Sequence, residues 1–138
     1  MTMCCLSSMT AQLKSRANAP DHALVGALVN PASAPTPLTI YGCATRRLTN
    51  TSLVRFGELN AGRVLRALER EGVIAASGSA CCAGRGQPSH VLLAQGESPQ
   101  HARCAVRFSL GRRTTSEEID AALCTVRQVL GSLLNTRH

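Results

Sequence analysis

Aromatic side chains are almost missing from this sequence, which has no Trp, one Tyr and two Phe. A core without them must be filled by Leu, Val, Ile and Ala, and single-stranded nucleic acid finds no stacking platform. Lysine is as scarce, with Lys14 the sole example. No apolar run is long enough for a secretory signal or a membrane span. Acidic residues are also few: eight against fifteen Lys and Arg, a net charge of +7. That balance permits phosphate contacts, but the arginines are scattered rather than massed. The basic residues therefore read as a solvated surface, with an acidic protein partner as the intermediate reading and no nucleic acid or membrane partner expected.

What is present fits one small domain. The chain has 138 residues, 44% of them apolar, enough for a modest core. Seven cysteines, an odd number, suggest thiols in a reducing compartment. A cytoplasmic location is expected. The mitochondrial alternative rests on Lys14, Arg16, several Ser and Thr, and no acid before Asp21.

Residues 1–37 read as irregular, with a short helical turn over 23–29 and a Pro-rich linker over 30–37. Order begins near Leu38. Leu53 to Phe56 has strand composition. Asn60 caps a helix whose apolar Ala61, Val64, Leu65 and Leu68 share one face. Gly72 ends that helix, and Val73 to Ala76 read as a second strand, closing a β-α-β unit. Helices are predicted from His90 to Gln95 and from Pro99. Cys104, Val106, Phe108 and Leu110 alternate with Ala105, Arg107 and Ser109, the period of a strand. Thr115 and Glu118 form a capping box. Ile119, Ala122, Leu123, Val126, Leu130 and Leu133 then mark one face of a long helix. The fold class is α/β, a small two-layer domain of a few strands covered by helices.

The chemistry concentrates in the loop 77–89, SGSACCAGRGQPS. A thiolate is the nucleophile of cysteine chemistry, so a reactive Cys needs exposure and positive surroundings. Gly78, Gly84 and Gly86 give the loop freedom, Arg85 supplies charge, and a helix starts at Ser89. Cys81 and Cys82 are the candidate nucleophiles; a loop cysteine without a role is the competing reading. A metal site from Cys81, Cys82 and His90 lacks the usual Cys-x-x-Cys spacing. A vicinal disulfide would be strained, and a phosphate loop would want a lysine after its glycines. Arg107, flanked along its strand by small Ala105 and Ser109, is suited to a bidentate grip on a carboxylate. An ordinary surface arginine is the alternative.

The runs Arg47-Leu-Thr-Asn-Thr51, Ala76-Ser-Gly-Ser-Ala-Cys81, Pro88-Ser-His-Val-Leu92 and Val106-Arg-Phe-Ser-Leu-Gly-Arg112, with Thr114-Thr-Ser-Glu-Glu-Ile-Asp120 after them, resemble the cysteine desulfurases. These are pyridoxal-phosphate enzymes of the class V aminotransferase group. The resemblance covers about residues 38 to 135 and implies the C-terminal small domain of a fold-type I pyridoxal-phosphate enzyme. It implies Cys81 as the persulfide-forming nucleophile and Arg107 as the holder of the substrate carboxylate, with L-cysteine converted to L-alanine and sulfur passed on for iron–sulfur cluster assembly or other delivery. Cys82 stands where the family usually has Ser or Thr, and His90 has a structural place at a helix start.

The family's cofactor lysine follows a histidine in a large domain, whereas Lys14 follows Leu13 in an irregular segment. Pyridoxal phosphate is accordingly not expected to bind this chain alone, and whether the chain is itself an enzyme is left open. A full-length desulfurase, a sulfur-acceptor protein and a second copy of the chain are the implied partners. Rival readings are a selenocysteine lyase fragment, a non-catalytic sulfur-accepting or desulfurase-binding module, and a truncated remnant. The six residues between Cys81 and Pro88 suit the desulfurase spacing.

Overall fold

The computed structural model describes residues 36–42, 50–78, 87–111 and 113–136. The expected helical turn at 23–29 lies outside them. Eight elements follow in order: β1 (Leu38–Tyr41), β2 (Thr51–Phe56), α1 (Ala61–Arg70), β3 (Ala76–Ser77), α2 (His90–Ala94), α3 (Pro99–Ala102), β4 (Ala105–Ser109) and α4 (Ser116–Asn135). The strands form one sheet in the order β1-β2-β4-β3, every neighbouring pair antiparallel. The β-α-β unit is therefore split: β2 and β3 run parallel to each other with β4 inserted between them.

One face of the sheet carries the main core. Val54 and Phe56 of β2 and Val106 and Phe108 of β4 pack against Val64 and Leu68 of α1 and Ile119, Leu123, Val126 and Leu130 of α4. Most of the periodic positions read from the sequence are buried, Leu65, Leu110, Ala122 and Leu133 are only partly so, and Val129 joins the core. Phe56 and Phe108 meet edge to face, with centroids 6.3 Å apart and planes at 81°, the geometry aromatic quadrupoles favour.

The helix ends show why the segments stop where they do. Asn60 Oδ1 accepts the Gly62 N–H at 2.9 Å. At α4 the capping box is complete: Thr115 Oγ1 accepts the Glu118 N–H, and Glu118 Oε2 accepts the Thr115 N–H at 2.8 Å. At the end of α1, Gly72 takes φ +82°. Its N–H donates to Glu69 O and the Val73 N–H to Leu68 O, a Schellman cap. That cap accounts for a correction. Val73 belongs to the helix terminus, Ile74 is 89% exposed, and β3 is confined to Ala76–Ser77. Among the described residues no helix is long and apolar enough to cross a membrane.

Candidate functional site

The second face of the sheet is where the sequence candidates converge. Alternation along β4 puts Ala105 and Arg107 on the face opposite Val106 and Phe108. Ala105 is fully buried there with Leu92 of α2 and Ala102 of α3, against Tyr41 of β1 and Leu53 of β2. The sheet is thus covered on both sides, by two substantial helices on one and by a thin layer of short ones on the other.

Arg107 follows Ala105 on this same face, two residues along β4. It is half-buried, directly across from Leu53 on β2 and Ala76 on β3. The ion pairs among the described residues join Arg55 to Glu58 and His101 to Glu58 and Glu97. None among the described residues reaches Arg107. Next to it the chain leaves the sheet: the Gly78 N–H donates to Ala105 O at 3.1 Å. A Cβ at Gly78 would meet Ala105, Leu53 and Ser89 at 3.4 to 3.5 Å, ordinary van der Waals contact, so this position lies beside the second layer.

Cys81 and Cys82, three and four residues further on, lie outside the described residues, as do Arg47 and Arg112. His90 is the exposed first residue of α2, whose N-cap Ser89 is itself buried. Two cysteines not proposed for chemistry are described: Cys124, exposed on α4, and Cys104, buried with its thiol donating to Gln100 O at 3.3 Å. Among the described residues no three His, Cys, Asp or Glu are grouped to hold a metal ion. No lysine is among the described residues to form the internal linkage of pyridoxal phosphate.

Sequence reasoning missed a polar cluster on the same face. His101 Nδ1 lies 2.9 Å from Glu97 Oε1 and its Nε2 lies 3.1 Å from Glu58 Oε1. Glu58 Oε2 accepts from Gln100 Nε2 at 3.0 Å, and Arg55 reaches Thr39 Oγ1 at 3.0 Å and Gly57 O at 3.1 Å. The only sequence signal is the Glu97–His101 spacing of four; Glu58 lies forty-three residues from His101. The His101 hydrogen bond, more than any other influence, holds the Glu97 carboxyl below the usual carboxylate range.

The Tyr41 hydroxyl is buried at the edge of this cluster without a hydrogen-bond partner. It lies near Glu97 but outside bonding geometry, so the two act on each other as neighbouring dipole and charge. Burial first, and Glu97 second, push the Tyr41 ionisation up to about 12. A phenol whose folded value lies above its unfolded value of about 10 contributes stability that is intact below pH 10 and lost as pH rises toward 12. Tyr41→Phe removes an unpaired buried polar atom. The variant is expected to be at least as stable as the parent at neutral pH and to lose less stability on moving to about pH 11. Denaturant titration at the two pH values checks this, and an equal alkaline loss in both proteins would refute it.

Comparison with known proteins agrees with this architecture. The aminotransferase class-V family model matches residues 9–122, starting well upstream of Leu38. The chain is 38% identical over 91 residues to the cysteine desulfurase of Bradyrhizobium diazoefficiens, covering 66% of this chain and 23% of that protein. It is 38% identical over 96 residues to the cysteine desulfurase NifS of Azotobacter vinelandii, covering 70% and 24%. Among solved structures, a NifS-like protein from Rickettsia africae superposes with a TM-score of 0.61 at 19% identity, covering 91% of this chain and 28% of the other. A second NifS-like protein gives 0.63 at 24% identity, covering 92% and 28%. The chain thus spans about a quarter of the length of these relatives.

Proposed function

Because the chain belongs to the class-V aminotransferase family, as a cysteine desulfurase-like domain, we propose that it is the sulfur-accepting part of a cysteine desulfurase. In this reading it works with another polypeptide that supplies the rest of the fold. Arg107 binds the carboxylate of L-cysteine, and the Cys81 thiol takes the substrate's sulfur as a persulfide while the carbon skeleton leaves as L-alanine. Thiol and cysteine in, persulfide and alanine out, the exchange balances without an outside oxidant. Pyridoxal phosphate belongs to the assembled enzyme, and the chain alone neither holds it stably nor turns over cysteine. Residues 38–138 form the desulfurase-like small domain, and 1–37 are the segment before it.

The observation that carries this reading is Arg107, a partly buried residue on a sheet face with no acidic partner among the described residues. A guanidinium with no acid beside it is open to an anion, and its planar fork matches a carboxylate. The loop is tethered beside it: Ala76 is the cross-strand partner of Arg107, and even a fully extended chain carries Cys81 only about 11 Å from Gly78.

The test is peptide mass spectrometry on the purified chain after incubation with L-cysteine and pyridoxal phosphate. It is run alone and with a small quantity of a full-length desulfurase whose own loop cysteine has been replaced. One added sulfur atom on Cys81 only when the partner is present supports the proposal. Sulfur on Cys81 in the chain alone would make the chain self-sufficient, and none in either mixture would remove the sulfur-accepting role.

A further inference from the structure

We propose that His101, set between Glu58 and Glu97, is a protonation-dependent clasp that holds α3 against the β2–α1 turn, so that the thin helical layer over the Arg107 face loosens as the imidazole loses its proton. The argument begins with donors and acceptors. A carboxylate only accepts hydrogen bonds, and a neutral imidazole has one N–H and one bare nitrogen. Both ring nitrogens of His101 face carboxylate oxygens, at 2.9 Å and 3.1 Å. Only the imidazolium can donate to both. Once neutral, the ring sets a bare nitrogen against one of the two anions and gives up that tie.

The tie adds to two other links between the α3 segment and the neighbouring turn, Gln100 Nε2 to Glu58 Oε2 at 3.0 Å and the Ala61 N–H to Arg103 O at 3.2 Å. The helix is four residues long, too short to persist on its own hydrogen bonds. Its N-terminus is closed by Ser98 Oγ, which accepts the His101 N–H at 3.2 Å. Its apolar anchorage is Ala102, buried with Leu92 and Ala105. The His101 ring adds links to neighbouring segments: to Glu97 in the α2–α3 connection and to Glu58 in the turn after β2. Three residues after Ala102 the chain is already in β4, which carries Arg107.

The charged and titratable groups around the ring act in both senses: the Arg55 cation shares Glu58 with the ring, whereas Glu97 sets a second anion against it. From β2, Arg55 Nη1 lies 3.5 Å from the Glu58 oxygen that His101 also faces. From β1, Tyr41 adjoins Glu97 and stays neutral far into the alkaline range. Glu97, its carboxyl held below the ordinary range, remains an anion wherever an imidazole titrates. Gln100, the neighbour of His101 on α3, is neutral and donates to Glu58.

Amide hydrogen exchange on the full chain, measured by NMR at about pH 5.5 and about pH 8 and corrected for intrinsic rates, tests the clasp. The reporters are the Ala102 and Arg103 amides, which donate to Ser98 O and Pro99 O. Their opening equilibrium is expected to rise roughly fivefold at the higher pH, in keeping with a partly exposed pair. The Val126 amide in α4 should stay unchanged. In His101→Gln, which cannot titrate, the α3 opening should be the same at both pH values. Glu97→Gln, which leaves one carboxylate, should retain less than half of the pH dependence and carries the test if His101→Gln does not fold. Opening of α3 that is independent of pH in the parent, or an undiminished pH dependence in either variant, would overturn the proposal.

Discussion

Phe56→Ala is expected to lower the unfolding free energy by about 4 kcal/mol, the range for a fully buried phenylalanine. Phe56 is 1% exposed and stands where β2 meets both covering helices. Its ring contacts the only other phenylalanine of the chain, Phe108, edge to face. No other aromatic ring lies in that core, so nothing of similar size can move into the space left behind. Small domains are stable by about 5 to 15 kcal/mol, and so the substitution removes a large part of the total. Phe56→Leu, which keeps most of the volume, should cost less than half as much. Equilibrium denaturation followed by circular dichroism reads both variants. A loss below about 1.5 kcal/mol for the alanine variant would mean that the layer between sheet and helices collapses around the gap.

The second large effect is on sulfur transfer, within the proposed function. With a full-length desulfurase partner, Arg107→Gln is expected to reduce the rate of sulfur loading onto Cys81 at low L-cysteine by at least about thirtyfold, the equivalent of roughly 2 kcal/mol for an unpaired substrate carboxylate. Arg107→Lys retains the charge but loses the fork, and should fall between the two. Stability should barely change, because Arg107 is half-buried and pairs with no acid among the described residues. Saturating L-cysteine should restore part of the loss if the arginine binds substrate. A defect that is the same at all substrate concentrations would instead assign Arg107 a role in docking the two polypeptides.

The covering helices were readable from sequence because their signals are local. Asn60, Gly72, Thr115 and Glu118 each act within a few residues, and a heptad-scale apolar stripe needs no knowledge of its partner. The β4 alternation was legible for the same reason, although it understated Ala105, which burial under Leu92 and Ala102 makes as much a core residue as Val106. Strand β1 escaped notice. Its four residues, Leu-Thr-Ile-Tyr, are ordered by pairing with β2, and four residues at a sheet edge carry too short a pattern to recognise. Val73 and Ile74 look like strand residues by composition, but the Schellman cap after Gly72 claimed the first and left the second in solvent. Arg107 was identifiable by its small neighbours and by the resemblance of its motif. The Glu58–His101–Glu97 arrangement was not, since it joins segments that only the folded sheet brings together.

The insertion of β4 between β2 and β3 also dictates an order of events. When a growing chain has been synthesised only as far as α2, β1 and β2 can pair, but a two-stranded ribbon is marginal alone. At that stage β3 has no neighbour to bond, because its only pairing is with β4, some thirty residues later. The cysteine segment therefore has no fixed base until β4 enters the gap and joins both sides at once. Chains ending before Ala105 lack the strand with which both β2 and β3 pair, whereas one more strand joins all four into a single sheet. Local helices form early, but the strand that secures the chemistry arrives late, and that long-range closure sets the pace of folding.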